Sequence, residues 1–226
     1  MHEENLWEIK FEHLKHLHKR RAEAIALLLE LKHDDVLLDV GCGEGYVTSF
    51  FLNQAGFTVG LDVSLRHLKI AKTKLPASST DFCRGDALNL PFRSACFDKI
   101  AVLEVLEHLR RPRICVREAD RCAKKNALIV ISVPWREKIR HEYNEKLGSH
   151  VPKWGHLHSF SERDIVSFLP SPYALIVKKH LPNTDIHKIT WLPLIRHLPI
   201  RIWLKLNDKL GRIEKGYWVI FKFKKL

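Results

Sequence analysis

The sequence predicts an α/β fold, a mostly parallel sheet with helices on both of its faces. Short apolar runs alternate along the chain with segments of helical periodicity, and the first apolar run stops at a glycine-rich loop. No apolar run approaches the ~20 residues that span a bilayer. The 226 residues, of which 46% are hydrophobic and 28% charged, suffice for one domain with an appended lobe.

The first third of the chain carries the clearest pattern. Residues 3–31 repeat apolar side chains every three or four positions without Gly or Pro, which predicts a long helix. Two short apolar runs, 36–40 and 57–61, predict buried strands, and the segment from Tyr46 to Gln54 between them is helix-like. Ser64 is a good N-cap for a helix that reaches Lys74.

The rest of the chain continues the alternation. A helix is predicted near residues 112–124, and the capping-box spacing from Ser161 to Asp164 predicts another helix through Leu169. The remaining strand candidates are 98–102, 127–133, 173–179 and 217–224.

Two segments break the alternation and are predicted to be insertions in the sheet scaffold. Residues 136–160 are rich in His, Trp and charge, and residues 181–214 combine three prolines with two tryptophans. The predicted organisation is therefore one domain over 1–226, with an N-terminal helix (1–33), a core (34–135) and these two insertions.

The net charge of +12 is concentrated in two places. Residues 110–125 hold seven Lys/Arg against two acids, and residues 181–226 hold ten against three. This indicates a basic face for nucleic acid, an acidic substrate or a lipid surface, or simply solvated lysines. Five cysteines without a C-x-x-C pair and an N-terminus without an apolar signal region predict a reduced, cytoplasmic protein.

The glycine loop, Asp39-Val40-Gly41-Cys42-Gly43-Glu44-Gly45, follows the first strand directly. Tyr46 stands where the dinucleotide fingerprint needs its third glycine, and no G-K-[ST] follows, so neither a nicotinamide site nor a P-loop is predicted. Asp62 ends the second strand, where an acid can accept both hydroxyls of a ribose or cap the next helix.

Five motifs in order resemble the class I S-adenosylmethionine-dependent methyltransferases, in particular the small-molecule branch with a type 11 methyltransferase domain. The likeness is close over residues 34–135 and looser through His158-Ser159-Phe160-Ser161. It implies a Rossmann-like, seven-stranded sheet with a C-terminal lid-like insertion. The motifs are Leu38–Gly45, Gly60-Leu61-Asp62, Gly85-Asp86-Ala87 with Leu90-Pro91-Phe92, Phe97-Asp98, and Leu106-Glu107-His108-Leu109.

The resemblance also implies how the cofactor, S-adenosyl-L-methionine, would be held. The loop glycines would line its methionine part, and Asp39 would meet its ammonium directly or through water. Asp62 would hold the ribose hydroxyls, Asp86 the adenine amino group, and Val63 the face of the ring. The implied cofactor-binding set is Asp39, Gly41, Cys42, Gly43, Gly45, Asp62, Val63, Asp86, Ala87 and Leu103.

Three residues are candidates for facing the methyl acceptor. Glu104 ends the fourth strand, His108 follows one turn later, and His158 lies after the fifth strand. A general base is needed only if the acceptor must lose a proton. His108 is alternatively a packing or capping histidine, and Glu104 a residue that orients the cofactor.

No metal is predicted. His156-Leu157-His158 would project both rings to one side of a strand, as a metal site requires, but no acid or cysteine stands at ligand spacing beside them.

The expected acceptor is a small molecule, lipid-like or quinone-like. Asn-Pro-Pro-Tyr after the fourth strand and the Pro-Cys of cytosine methyltransferases are both absent, which makes nucleic acid less favoured. The stretch from Trp191 to Leu206, with Trp203, is apolar with regular cations, and is predicted to be a lid over the acceptor or a contact with an anionic membrane. An RNA or protein methyltransferase, and a non-catalytic cofactor-binding scaffold, remain as alternatives, and the pattern does not indicate an oligomeric state.

Overall fold

A computed structural model describes residues 3–170, 172–183, 197–210 and 216–226. Over these ranges, nine strands form a seven-stranded sheet and a separate two-stranded hairpin. The strands are β1 Val36–Val40, β2 Phe57–Asp62, β3 Thr80–Arg84, β4 Phe97–Leu103, β5 Ala123–Pro134, β6 His141–Asn144, β7 Ser149–Pro152, β8 Tyr173–Asn183 and β9 Gly216–Lys225. The helices within these residues are α1 Glu3–Leu29, α2 Leu65–Lys74, α3 Pro112–Cys122, α4 Glu162–Phe168 and, last, α5 Ile200–Leu210.

The large sheet has the order β3-β2-β1-β4-β5-β9-β8. Strands β1 to β5 run parallel, whereas β9 is antiparallel to both of its neighbours. The chain order reverses between β1 and β4, and ligands of open α/β sheets bind at the carboxyl ends of the strands beside such a reversal. The predicted seven-stranded, mostly parallel, Rossmann-like sheet is confirmed.

The two faces of the sheet each have a core, because successive side chains of a strand point to opposite faces. On one face, Leu38 and Val102 pack with α3 and α4, and on the other, Leu37 and Ala101 pack with α1 and α5. All of residues 127–133 in β5 are buried, as expected of a central strand covered on both faces.

Two of the predicted helix starts are confirmed by their caps, and a third by a proline. The Ser64 side chain accepts a hydrogen bond from the His67 amide, and Ser161 forms a capping box with Asp164. Helix α3 begins with Pro112, whose missing N–H costs nothing in the first turn.

Two predictions about the core segment need correction. The segment from Tyr46 to Gln54 is not a helix but a series of turns around one 3-10 turn, Thr48–Phe50. Thr48 directs its hydroxyl to Asp39 at 2.7 Å, and Asn53 adopts a left-handed conformation (φ 63°), so a regular helix is interrupted at both points. Strand β3, a polar edge strand, was not predicted from its residues, since it lacks a continuous apolar run.

The second insertion is described only in part. The described part of residues 181–214 includes α5, which packs on α1 and β8. Trp203 is 2% exposed and lies in the core with Ile25, so it faces neither lipid nor solvent. Trp191 lies outside the described residues. The first insertion, 136–160, contains the β6–β7 hairpin.

The five cysteines are all free thiols, as predicted. Among the residues that the structure describes, no helix is both long and apolar enough to cross a membrane.

Candidate active site

The glycine loop turns sharply at the carboxyl end of β1, where a side chain would not fit. The amides of Gly41 and Cys42 both donate to the Leu61 carbonyl of β2, at 2.7 and 3.0 Å. Gly41 has a φ of 73°, and a Cβ on it would lie 2.3 Å from the Val105 side chain. Gly43 also has positive φ (54°), but a Cβ there would meet nothing within 4 Å, so the loop is open on this side. The loop thus offers bare backbone to a ligand.

Asp62 joins the end of β2 to this loop. One of its carboxylate oxygens accepts from the Gly43 amide at 2.9 Å, and the other accepts from the Ser64 amide at 2.8 Å. Helix α2 is capped by Ser64 itself, so Asp62 is not required as its cap. Its side chain is 13% exposed, and each of its oxygens can accept a further hydrogen bond from a ligand.

Asp39 lies beneath the loop and is almost inaccessible. It is 2% exposed, and the Thr48 hydroxyl donates to it at 2.7 Å. Burial raises its pKa to about 7, the Thr48 hydrogen bond opposes that rise, and the nearby negative charge of Asp62 adds to it. The neighbouring Cys42 is also buried, which raises the pKa of its thiol, so this cysteine is not a reactive thiolate.

The outer part of the predicted cofactor site has an apolar surface and an exposed acid. Val63 is 69% exposed beside Asp62. The Gly85 amide donates to the Asp62 carbonyl at 3.1 Å, which places the turn containing Asp86 and Ala87 against the same strand end. Asp86 is exposed and accepts from the Leu88 amide. Gly45 and Leu103 complete the predicted set and are both buried.

Glu104 stands at the end of β4 in a left-handed conformation, with φ of 55°. Its carboxylate accepts from the Ser132 hydroxyl at 2.8 Å and pairs with Arg21 of α1 at 3.1 Å. Burial raises the pKa of Glu104, and Arg21 and Ser132 oppose the rise. A non-glycine residue held in this conformation is typical of functional sites, because the surrounding contacts must compensate the strain.

His108 and His158, the other two candidates, have different surroundings. The His158 Nε2 donates to the Leu109 carbonyl at 2.9 Å, which ties it to the backbone after β4. The exposed His108 ring lies 4.9 Å from that of His156, and its Nδ1 donates to the Gly155 carbonyl at 3.3 Å. Burial and then the proximity of His156 lower the pKa of His108.

Sequence reasoning missed two acids next to these histidines. Glu137 accepts from Nδ1 of His156 at 2.5 Å, and Glu107 lies within 4.8 Å of His108 and His156. Residues 156–158 do not form a strand, and His158 turns away to Leu109, so the predicted pair of rings is not formed. Glu107 comes from the turn after β4 and Glu137 from the segment after β5. Both are too far from His156 along the chain for a ligand-spacing pattern to reveal them.

A cavity of about 860 Å³ opens between α1, residues 46–54 and residues 197–200. Its apolar wall includes Leu27, Phe50 and Leu198, and Tyr46, which follows the glycine loop, also lines it. Four charged residues of α1 also line it, Lys15, Lys19, Arg20 and Glu23, and the buried Arg20 pairs with Glu23 at 2.9 Å.

Comparisons with known proteins agree with this architecture. The family model described as a methyltransferase domain, Methyltransf_11, matches residues 38–131. The chain is 32% identical to an uncharacterized protein of Methanocaldococcus jannaschii over 215 residues, covering 90% of this chain and 85% of that one.

Two relatives with named activities match shorter stretches. A norajmaline N-methyltransferase of Rauvolfia serpentina is 35% identical over 100 residues, 42% of this chain. A demethylmenaquinone methyltransferase of Streptomyces griseus is 27% identical over 132 residues, 57% of this chain. The chain spans only 34% and 56% of the length of these two relatives.

A solved structure extends the likeness of fold to nearly the whole chain. It is a complex between the Haloferax volcanii Trm112 methyltransferase activator and a protein assigned as a methyltransferase, with a TM-score of 0.66, 16% identity, and coverage of 97% of this chain and 94% of that one. With the glycine loop, the acid at the end of β2 and the order of the sheet, these matches show that the chain belongs to the class I S-adenosylmethionine-dependent methyltransferases of the type 11 family.

Proposed function

We propose that this S-adenosylmethionine-dependent methyltransferase acts on a small acceptor with an apolar, lipid-like or quinone-like body, bound in the cavity between α1 and residues 197–200. The cavity carries the proposal: its volume of about 860 Å³ lies in the range of small-molecule sites, and its wall is largely apolar. Glu23 of the lining is paired with Arg20, and the further positive charge of Lys15 and Lys19 favours an acceptor with an anionic or strongly polar head group.

The cofactor would occupy the open side of the glycine loop. Acidic and main-chain groups converge there, which suits a ligand that carries an ammonium, a ribose and an adenine but no pyrophosphate. Asp62 would accept from the ribose hydroxyls with the lone pairs that Gly43 and Ser64 leave free. The exposed face of Val63 would support the adenine ring, with Asp86 and Ala87 at its polar edge.

Asp39 would act on the cofactor from below the loop. Because it is 2% exposed, the ammonium would reach at most one edge of its carboxylate, or a water between them. Cys42, Gly45 and Leu103 would contribute packing rather than hydrogen bonds. When bound, the cofactor supplies an electrophilic methyl group on a sulfonium, and the protein has to align the acceptor with it.

Glu104 is the best placed group to receive a proton from the acceptor. It stands at the strand end next to the glycine loop, and its raised pKa makes it a stronger base than an ordinary carboxylate. Its bonds to Ser132 and Arg21 fix its position and connect it to α1, which also lines the cavity. His158 would act as a positioning residue through Leu109. His108 does not line the cavity, so it would face only a part of the acceptor that extends beyond it.

An RNA or protein acceptor is the second candidate, supported by the basic segment 110–125. Part of this charge is used internally: Arg121 pairs with Glu118 and donates to two main-chain carbonyls, and Lys124 pairs with Asp98. Peripheral contact with an anionic membrane is weakly supported, because Trp203 is buried and Ile202 is the one large apolar side chain that α5 exposes over residues 200–209.

A methyl-transfer screen tests the acceptor class. Protein with labelled cofactor is incubated with quinone, lipid, saccharide and RNA fractions, and the labelled product is separated. We expect label in the quinone or lipid fraction. Leu198→Trp, which fills the cavity, should reduce turnover at least tenfold, while S-adenosylhomocysteine affinity changes by less than a few-fold. Leu147→Trp, the same substitution at a site 68% exposed on the hairpin, is the matched control.

Asp62→Ala tests the cofactor part separately. Loss of hydrogen bonds to a charged acceptor should weaken S-adenosylhomocysteine binding by about 2 kcal/mol, measured by calorimetry. Asp34→Ala, at an exposed acid outside the loop, should leave the affinity unchanged. Unchanged affinity in Asp62→Ala would remove this residue from the site, and label only in RNA would replace the proposed acceptor with the second candidate.

A further inference from the structure

Glu107 is a fully buried acid. It is 0% exposed, and neither oxygen of its carboxyl group has a hydrogen-bond partner among the residues that the structure describes. Burying an ionised carboxylate in this way costs several kcal/mol, unless the group is paired, bound to a metal or protonated. Burial and the charge of Glu104 raise its pKa to about 8, so protonation is the alternative that an experiment must exclude.

The two histidines next to Glu107 are oriented as metal ligands usually are. The His108 Nδ1 donates to the Gly155 carbonyl, and the His156 Nδ1 donates to the Glu137 carboxylate. Histidines that bind metals commonly donate their other ring nitrogen to a carbonyl or carboxylate, which fixes the tautomer and leaves Nε2 as the ligand.

The backbone holds the three residues together. The Leu157 amide donates to the Glu107 carbonyl at 2.7 Å, which fastens the segment carrying His156 to the turn carrying Glu107 and His108. A carboxylate oxygen of Glu107 and one ring nitrogen each of His108 and His156 lie within 4.8 Å of one another. Ligands around a metal at 2.0–2.2 Å lie about 3.4 Å apart in tetrahedral geometry, so small side-chain rotations would close the site.

We propose that Glu107, His108 and His156 bind one divalent transition-metal ion, and that Glu137 orients His156 from outside the ligand set. Two imidazoles and one carboxylate suit ions such as Zn²⁺, Co²⁺ or Mn²⁺, whereas Mg²⁺ and Ca²⁺ prefer oxygen ligands alone. Three protein ligands leave a position open, as in catalytic rather than structural metal sites. His108 is exposed, so that position is open to ligands from solvent.

The open position would take an oxygen donor such as a hydroxyl or carboxylate. Val105, two residues before Glu107, contacts Gly41 of the glycine loop, so the ion would lie near the cofactor side of the sheet. This step rests on the proposed function: an ion there would bind the oxygen of the acceptor that receives the methyl group, and would favour an O-methyl acceptor. Binding of the ion itself does not depend on that function.

Calorimetry of untagged, chelator-treated protein with Co²⁺ tests the site, with visible absorption reporting the coordination of the ion. We expect one ion per chain. Glu107→Gln and His156→Gln should each weaken binding at least a hundredfold, and Glu137→Gln about tenfold, as expected for a group that supports a ligand. His141→Ala, an exposed histidine on the neighbouring hairpin, is the matched control and should leave binding unchanged.

Circular dichroism and S-adenosylhomocysteine affinity of each variant show that it is folded. The proposal is wrong if the folded protein binds neither Co²⁺, Zn²⁺ nor Mn²⁺, or if Glu107→Gln binds Co²⁺ as tightly as the unchanged protein. Glu107 would then be a protonated packing residue. Because S-adenosylhomocysteine binding is measured in parallel, failure of the metal site leaves the proposed methyl transfer standing, and failure of cofactor binding alone leaves the metal site standing.

Discussion

The glycine loop and the stretch from Trp191 to Leu206, which includes most of α5, both have distinctive sequence patterns, but only the pattern of the loop specifies its backbone geometry. In the loop, Gly41 and Gly43 adopt left-handed conformations, and Asp62 contacts the Gly43 amide. In α5, the tryptophan predicted to face lipid or acceptor is buried against α1. A loop whose backbone geometry admits few residue types can be recognised from its sequence. An apolar helix face indicates only that the face is covered, and does not indicate whether the protein core, a ligand or a lipid covers it.

Trp203 gives the largest expected effect and tests the α5 side of this comparison. Trp203→Ala removes a core side chain that is 2% exposed, so the free energy of unfolding should fall by about 3–5 kcal/mol in urea denaturation. Trp154→Ala, at a tryptophan 63% exposed, is the control and should change it by less than about 0.5 kcal/mol. Equally small losses of unfolding free energy in both variants would indicate that Trp203 lies at the surface.

The sequence determined the sheet well because its signals are local. The apolar run 127–133 and the capping residues Ser64 and Ser161 each specify one element, and the structure confirms them. The Tyr46–Gln54 segment was predicted wrongly, because the bond between Thr48 and Asp39 joins a turn to a strand and no periodicity reveals it.

The cluster around Glu107 also depends on contacts between distant segments, which sequence patterns do not reveal. Its members come from the turn after β4 and from two places beyond β5, and only the fold brings them together. The sequence analysis named the motif with Glu107 and His108, and separately His156, but it paired His156 with His158 and did not identify Glu137. Side chains that meet across distant segments carry no spacing signal until the strand order is known.

Two glycines test the glycine-loop side of the comparison with α5. Gly41→Ala would place a Cβ 2.3 Å from Val105 in a left-handed conformation, so strain and overlap together should cost about 2–4 kcal/mol of unfolding free energy. In Gly43→Ala the conformation is also left-handed, but the Cβ has open space, so about 1–2 kcal/mol is expected. Urea denaturation of both variants measures the difference. Equal losses of unfolding free energy would show that the Val105 side chain moves aside in Gly41→Ala and that the backbone conformation alone destabilises both variants.

Asp39 gives the most specific effect, because it is visible only as a change of stability with pH. Its pKa is 3.8 in an ordinary setting and about 7 in the folded protein, chiefly because of burial. Between these values the folded protein holds a proton that the unfolded chain has lost, so stability from this group falls as pH rises from about 4 to 7 and is level above that. Asp39→Asn cannot ionise, so a plot of unfolding free energy against pH should be shallower across that window.

Cofactor binding should respond to pH in the opposite direction. If the cofactor ammonium lies near Asp39, the bound state favours the ionised carboxylate, so binding releases a proton and the affinity for S-adenosylhomocysteine should rise several-fold between pH 6 and pH 7. The limit for one group is tenfold per pH unit, or about 1.4 kcal/mol. Calorimetry in buffers of different ionisation enthalpy counts the proton released. If the affinity of the unchanged protein varies with pH no more than that of Asp39→Asn, the bound cofactor does not interact with this carboxylate. Asp39 would then serve only to hold Thr48 and the turn beneath the loop.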